Sequence, residues 1–70
     1  MYQVTAIYQN SEIGYGEGEG LEYAIEDCFE YISPMFEDEI VTLSILEGDT
    51  LRRVDGRVYI KADGTRSINI

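Results

Sequence analysis

Carboxylates that recur along one segment of the chain are the residues best placed to do chemistry. The stretch EIGYGEGEGLEYAIEDCFEY, residues 12–31, carries glutamates three or four residues apart, at Glu19, Glu22, Glu26 and Glu30. On a helix this spacing brings carboxylates to within roughly 5–6 Å of one another along the axis. Such a row could bind a hard cation, transfer a proton or imitate the phosphates of nucleic acid. No lysine or arginine stands among these residues, so the row has no local counter-charge.

Alternating glycines precede this row, at Gly14, Gly16, Gly18 and Gly20. A loop that holds phosphate needs glycines at the spacing of a P-loop or dinucleotide fingerprint, followed by a helix whose first N–H groups face the anion. Here glutamates occupy the positions where phosphate would lie, which disfavours phosphate binding. If the segment is extended, its glycines share one bare face. We expect such a strand to be weak, mobile, covered closely by another backbone, or laid over a partner.

The other residue types give little reason to expect catalysis or metal binding. The chain contains no histidine to act as a base, and Cys28 falls on an apolar stripe, where a small core residue is expected rather than a nucleophile. The acidic triplet Glu37, Asp38 and Glu39 offers ligands to a hard cation, but its spacing matches no calcium loop. We therefore expect neither an enzyme nor a bound metal or cofactor.

The elements that position the carboxylate row follow from hydrophobic periodicity. Apolar residues at helical spacing predict an amphipathic helix over about 19–32, ended by Pro34. Before the helix, alternation predicts a strand at 2–9, turn residues at 10–12 and a second strand at 13–20. The apolar stripe of the helix consists of Leu21, Ala24, Ile25, Cys28, Phe29 and Ile32.

The second half of the chain predicts an antiparallel meander of about four strands. The β-branched segment 40–46 is apolar enough on both faces to be a central strand. The Asp-Gly dipeptides at 55–56 and 63–64 are typical of two-residue hairpin turns. The chain is too short for two cores, so residues 1–70 form a single domain. We expect an α+β fold of two layers, one amphipathic helix packed on an antiparallel sheet, in the order β-β-α-β-β-β with a last strand optional.

Charge is distributed unevenly along the sequence. The net charge is −9 at pH 7, twelve of the fourteen acidic residues lie before position 52, and all five basic residues lie after position 51. A segment without cations repels nucleic acid and acidic membranes and attracts a basic protein surface. DNA binding would instead need clustered lysine and arginine. No run resembles a membrane span or a signal peptide, so we expect a cytoplasmic protein.

The candidate binding surface combines the acidic row with tyrosines and neighbouring acids. Tyrosine is enriched at the centres of protein interfaces, and the triplet at 37–39 could continue an acidic rim at one end. The predicted partner-binding residues are Tyr15, Glu17, Glu19, Glu22, Tyr23, Glu26, Asp27, Glu30, Tyr31, Glu37, Asp38 and Glu39. Two plainer alternatives stay open, namely an acidic face that only confers solubility and tyrosines that only border a small core.

The chain resembles small phage-encoded inhibitors of bacterial defence, namely anti-CRISPR proteins and DNA-mimic antirestriction proteins. The resemblance lies in the cation-free span MYQVTAIYQNSEIGYGEGEGLEYAIEDCFEYISPMFEDEI, in the glutamate row, and in the strand–helix–meander order that ends in VDGRVYIKADGTRSINI. It implies a non-enzymatic protein that blocks a nucleic-acid-binding site of a CRISPR effector or restriction nuclease. The basic last quarter departs from the uniformly acidic mimics.

Two functional hypotheses follow. The first is an inhibitor, a monomer or homodimer, that binds a basic groove of such a complex and contacts neither nucleic acid nor membrane. The second is a small structural or assembly module that pairs an exposed strand edge with itself or with a partner.

Overall fold

One short helix and a curled antiparallel sheet of five strands form an α+β fold. The computed structural model describes residues 1–30, 32 and 36–69. The predicted α+β class, with one helix and an antiparallel sheet, is confirmed. In chain order the elements are β1 (Tyr2–Tyr8), β2 (Ser11–Gly18), α1 (Leu21–Phe29), β3 (Ile40–Glu47), β4 (Thr50–Ile60) and β5 (Arg66–Asn69).

The sheet curls around the helix. Its strands are ordered β2-β1-β3-β4-β5, and each neighbouring pair is antiparallel. β3 is the central strand, as the segment 40–46 predicts. β2 and β5 are the two edges, and α1 contacts both of them as well as β1. The helix therefore lies between the two edge strands, on the concave face of the sheet.

A hydrophobic core fills the space between α1 and this concave face. Phe29, from the last turn of the helix, is fully buried against the inward residues of the central strands. Burying such a side chain contributes roughly 1.5–3 kcal/mol, so a chain this small depends on each of them. Leu21 is partly buried and packs against the core, whose buried members are Val4, Ala6, Ala24, Ile25, Cys28, Phe29, Ile32, Val41, Leu43, Ile45, Val58 and Ile68.

The glycine face of β2 is the surface on which α1 rests. A Cβ built on Gly16 would overlap with the backbone nitrogen of Cys28 and come within 2.5 Å of the carbonyl oxygen of Ala24. On Gly14, the same atom would lie 2.6 Å from the carbonyl oxygen of Cys28. On Gly18, it would lie 2.8 Å from the amide nitrogen of Ala24. The glycines leave room for the helix backbone where a side chain would exclude it. Of the states expected for this strand, the structure shows close cover by another backbone.

The turn between β1 and β2 lies earlier than predicted. Gln9 and Asn10 form it, at φ 49° and 67°, and two consecutive left-handed residues are typical of a type I′ hairpin. The turn predicted at 10–12 and the strand start predicted at residue 13 are therefore wrong, because β2 already begins at Ser11. A bulge in the β1–β2 pairing leaves Ile13 as the extra residue of β2.

The hairpin turn predicted at 55–56 is wrong, because β4 continues through these residues. Neither Asp55 nor Gly56 has a positive φ, and the hydroxyl of Thr42 on β3 donates to the Asp55 carboxylate at 2.6 Å. A Cβ on Gly56 would lie 2.6 Å from the side chain of Ile68. The glycine therefore makes room for the packing of β5, and β3 to β5 form three strands instead of four.

The turn predicted at 63–64 is present, but it is longer than two residues. Gly64 has φ 89°, and the amide of Lys61 donates to the carbonyl oxygen of Thr65 at 2.8 Å. The hydroxyl and the amide of Thr65 both donate to the Asp63 carboxylate, which lowers the pKa of that group. The loop thus spans the residues between Ile60, where β4 ends, and β5.

The helix is shorter than the predicted 19–32. Gly20 is its N-cap, at φ −109° and ψ 154°, and supplies no side-chain cap. Glu30 is the C-cap and keeps a right-handed helical conformation. Ile32 follows as a buried residue whose amide donates to the carbonyl oxygen of Phe29 at 3.3 Å. The stop predicted at Pro34 lies outside the described residues.

Gly16→Ala should destabilise the fold by about 3 kcal/mol, because the new methyl group meets backbone atoms that cannot rotate away. The midpoint of urea unfolding measures the change. Gly20→Ser is the matched control from the same glycine run, since its Cβ would meet nothing closer than the Tyr23 ring at 3.4 Å. Its hydroxyl can cap the helix and should add about 0.3 kcal/mol. Equal stability of the two variants would contradict the close strand–helix contact.

Candidate functional site

The carboxylates of α1 and of the adjoining end of β2 form the candidate site, called here the acidic face. Its members on the helix lie away from the core, and all are exposed. Because Glu30 is still helical in conformation, it continues the i, i+4 row of Glu22 and Glu26. Glu19 precedes the helix rather than belonging to it, which corrects the predicted row. The acidic face consists of Glu17, Glu19, Glu22, Glu26, Asp27 and Glu30.

A hydrogen bond joins the β2 part of the acidic face to the helix. The backbone N–H of Glu17 donates to Oδ2 of Asp27 at 3.0 Å. The hydroxyl of Tyr15 donates to Oε1 of Glu17 at 2.7 Å, and this bond raises the pKa of Tyr15 above its ordinary value. The structure thus brings three of the predicted residues together at the outer edge of the sheet.

Lys61 supplies the one ion pair found within residues 1–30, 32 and 36–69. Its Nζ lies 3.1 Å from Oε1 of Glu26, and the bond raises the pKa of Lys61. Both side chains remain substantially exposed, at 33% and 49%. A surface pair of this kind is weak and is screened by salt. Within the described residues, the other carboxylates of the acidic face form no ion pair.

The sequence offers all five basic residues as counter-charges to the helix, but it does not single out Lys61. The lysine and Glu26 are separated by 35 residues, so no local periodicity relates them. The turn at 63–64 brings the end of β4 and the start of β5 back against the helix. The Asp-Gly dipeptide at 63–64 predicts the turn from the sequence. Whether the residues beside the turn contact the helix depends on how the sheet curls.

An open cavity of about 360 Å³ separates the helix from the β4–β5 turn. Tyr23, which is 71% exposed, forms one wall. Nε of Arg66 is buried and has no hydrogen-bond partner among the described residues. The predicted site residue Tyr31 lies outside the described residues. The lining side chains are Tyr23, Glu26, Asp27, Glu30, Asp63, Thr65 and Arg66.

The acidic triplet 37–39 lies at the other end of β1 from Glu17. The hydroxyl of Tyr8, at the end of β1, donates to Oε2 of Glu39 at 3.1 Å, and this bond raises the pKa of Tyr8. Glu37, Asp38 and Glu39 are all exposed. Arg57 donates from Nη1 to the backbone carbonyl oxygen of Asp38 at 2.7 Å, so a cation approaches this segment. The triplet is thus a separate acidic patch rather than part of the acidic face.

Two arginines lie on the convex face of the sheet, opposite α1. Arg53 pairs with Ser44 and Arg57 pairs with Ile40, whereas the neighbouring residue Leu43 points into the core. Alternate residues of a strand point to opposite faces. The sheet therefore separates Arg53 and Arg57 from the acidic face, whereas Lys61 and Arg66 lie beside the helix.

The thiol of Cys28 lies in the core, as the sequence predicts. Cys28 is 3% exposed, and burial raises the pKa of its thiol to about 12, so it is protonated at neutral pH. No group of three or more ligating side chains within residues 1–30, 32 and 36–69 could hold a metal ion. None of the described helices has the length and apolar composition that a bilayer crossing requires.

Comparisons with known proteins do not identify a family for this chain. No protein-family model matches the chain, and no curated protein or solved structure matches it either. The resemblance to anti-defence inhibitors therefore stays a prediction from the sequence. The chemistry of the described residues is the basis for any function assigned to the acidic face.

Cys28→Ala should reduce the loss of stability at alkaline pH. In the folded protein the thiol stays neutral up to a pKa of about 12, whereas the unfolded thiol ionises near 9.0. Because the folded state holds the extra proton, this stability is fully present below pH 9 and is lost as the pH rises towards 12. Chemical unfolding at pH 8 and pH 10.5 should show the wild type losing about 2 kcal/mol more than the variant. Equal losses in the two proteins would contradict a buried, neutral thiol.

Proposed function

We propose that the acidic face binds the basic nucleic-acid-binding surface of a bacterial defence complex, a CRISPR effector or a restriction nuclease, and so excludes nucleic acid from it. The protein acts in the host cytoplasm by occupancy rather than catalysis, as a monomer or homodimer. Neither nucleic acid nor membrane is its partner. The observation that supports this proposal best is the exposed row of carboxylates on α1. Within the described residues, one ion pair, between Glu26 and Lys61, is all that neutralises this row.

The spacing of the carboxylates suits a surface that ordinarily binds a polyanion. Glu22, Glu26 and Glu30 repeat every four residues, about 6 Å apart along the axis. Duplex DNA presents a phosphate about every 3.4 Å along each strand, so the row on α1 offers a lysine- and arginine-lined groove a little over half the linear charge density of one strand. A helix that mixed both signs for its own stability would not present such a field.

The sheet supports this binding mode by holding two of the five cations away from the helix. Arg53 and Arg57 lie on the convex face of the sheet, so their fields add least where the helix meets a partner. In this proposal the domain has two layers, with the sheet as scaffold and the helix as the binding layer. Tyr23, exposed among the carboxylates, supplies a flat aromatic surface on which a partner arginine can stack.

Affinity for the target should fall as salt rises, because steering and pairing by exposed charges are screened. Binding to a panel of CRISPR effector complexes and restriction nucleases, measured from low to high ionic strength, tests this. At low salt, Glu22→Lys combined with Glu30→Lys should weaken the complex by about a hundredfold, about tenfold for each reversed charge.

Charge reversal elsewhere is the control that separates the acidic face from net charge. Asp49→Lys changes the net charge as much as either single reversal, but it lies in the exposed turn between β3 and β4. It should change affinity by no more than about threefold. Lys61→Gln, which releases Glu26 from its ion pair, should strengthen binding. Equal weakening by Asp49→Lys and Glu22→Lys, or an affinity independent of salt, would overturn the proposal.

A further inference from the structure

The outer edge of β2 leaves backbone groups available to a partner. β2 is an edge strand, paired only with β1. The N–H of Glu17 points away from β1, because it donates to the side chain of Asp27. Backbone direction alternates along an antiparallel strand, so the N–H and C=O of Tyr15 point to the same outer side. Among the described residues, no side chain accepts a hydrogen bond from the Tyr15 N–H.

Carboxylates surround this edge on both sides. Tyr15 and Glu17 are exposed on the convex side, and Glu12 lies further along the same strand. On the concave side, Asp27 reaches down from α1 to the Glu17 N–H. A strand added beside β2 would therefore have acidic side chains next to both of its faces.

We propose that β2 accepts an extended basic segment of the partner as a further strand of the sheet. The inference rests on the proposed function and specifies how the basic partner is held. The carbonyl oxygen of the incoming segment takes the Glu17 N–H. Asp27, released from that bond, pairs with a lysine or arginine of the segment. Main-chain hydrogen bonds contribute affinity in strand addition, and the flanking side chains contribute specificity.

A second copy of this chain suits the edge less well than a basic segment does. Pairing β2 with its own copy would bring Glu12, Glu17 and Glu19 of one protomer close to the same residues of the other. Like charges facing each other across strands are destabilising. A second copy would also have to displace Asp27 from the Glu17 N–H, and its β2 brings no lysine or arginine with which the released carboxylate could pair. The charge of the edge therefore selects a basic strand.

Tyr15→Pro removes the outward N–H without breaking the sheet. Because the Tyr15 N–H does not bond to β1, proline at this position costs no ladder hydrogen bond, as is usual for edge strands. Tyr15→Ala is the matched control, since it removes the ring and hydroxyl but keeps the N–H. A blocked octapeptide of alternating lysine and valine serves as the probe, and an alternating serine–valine peptide reports the contribution of charge.

If strand addition occurs, saturating lysine–valine peptide should slow hydrogen exchange of the Tyr15 amide in the wild-type protein by at least about tenfold. Tyr15→Ala should bind within about threefold of wild type, and Tyr15→Pro should bind about tenfold or more weakly, the loss expected for one donor and the clash of the ring. The serine–valine peptide should bind at least about tenfold more weakly than the lysine peptide.

Several results would overturn strand addition. In one such result, the lysine–valine peptide binds, but hydrogen exchange of the Tyr15 amide is unchanged and the Tyr15→Pro and Tyr15→Ala variants bind with equal affinity. That result leaves the charge-based function intact, because only the mode of contact fails. Equal binding of the serine and lysine peptides, no binding at millimolar peptide, or a Tyr15 amide already protected in a dimer of the free protein would also overturn it. The salt and charge-reversal measurements on whole defence complexes test the proposed function separately.

Discussion

The contact between a bare strand and a helix backbone determines where α1, with its carboxylates, lies in this molecule. Glycines at alternate positions of β2 let α1 approach until backbone atoms of Ala24 and Cys28 occupy the space of a side chain. A helix held this closely to one edge of the sheet can also reach β5 at the other edge. The close approach lets Asp27 bond to the Glu17 amide. It also turns the carboxylates of α1 outward as a group.

The parts of the fold that periodicity encodes were predictable. The helical stripe and the central strand at 40–46 depend on which residues can be buried, and burial repeats with the period of each element. The Asp-Gly pair at 55–56 shows where a local signal fails. The same dipeptide that turns the chain at 63–64 lies within β4 at 55–56, because Ile68 occupies the space beside Gly56. A contact with a residue twelve positions later decided the outcome.

The candidate site was predictable in composition and less so in extent. The glutamates of α1 follow from helical spacing, and the bond between Glu17 and Asp27 required only that the glycine strand and the helix be neighbours. Lys61 could not be assigned to the face, since its position depends on the curl of the whole sheet. The triplet at 37–39 belonged to the same acidic stretch of sequence, yet it is tied to Tyr8 and Arg57 at another end of the molecule.

The alternation along β2 separates two kinds of position within one short strand. Gly14, Gly16 and Gly18 face a backbone and allow almost no replacement, whereas Tyr15 and Glu17 between them face outward and touch nothing that the fold requires. A lineage of such proteins could therefore exchange the outward residues freely while the inward ones stay fixed. The binding surface could then change along with the surface of its target, while the fold stays the same.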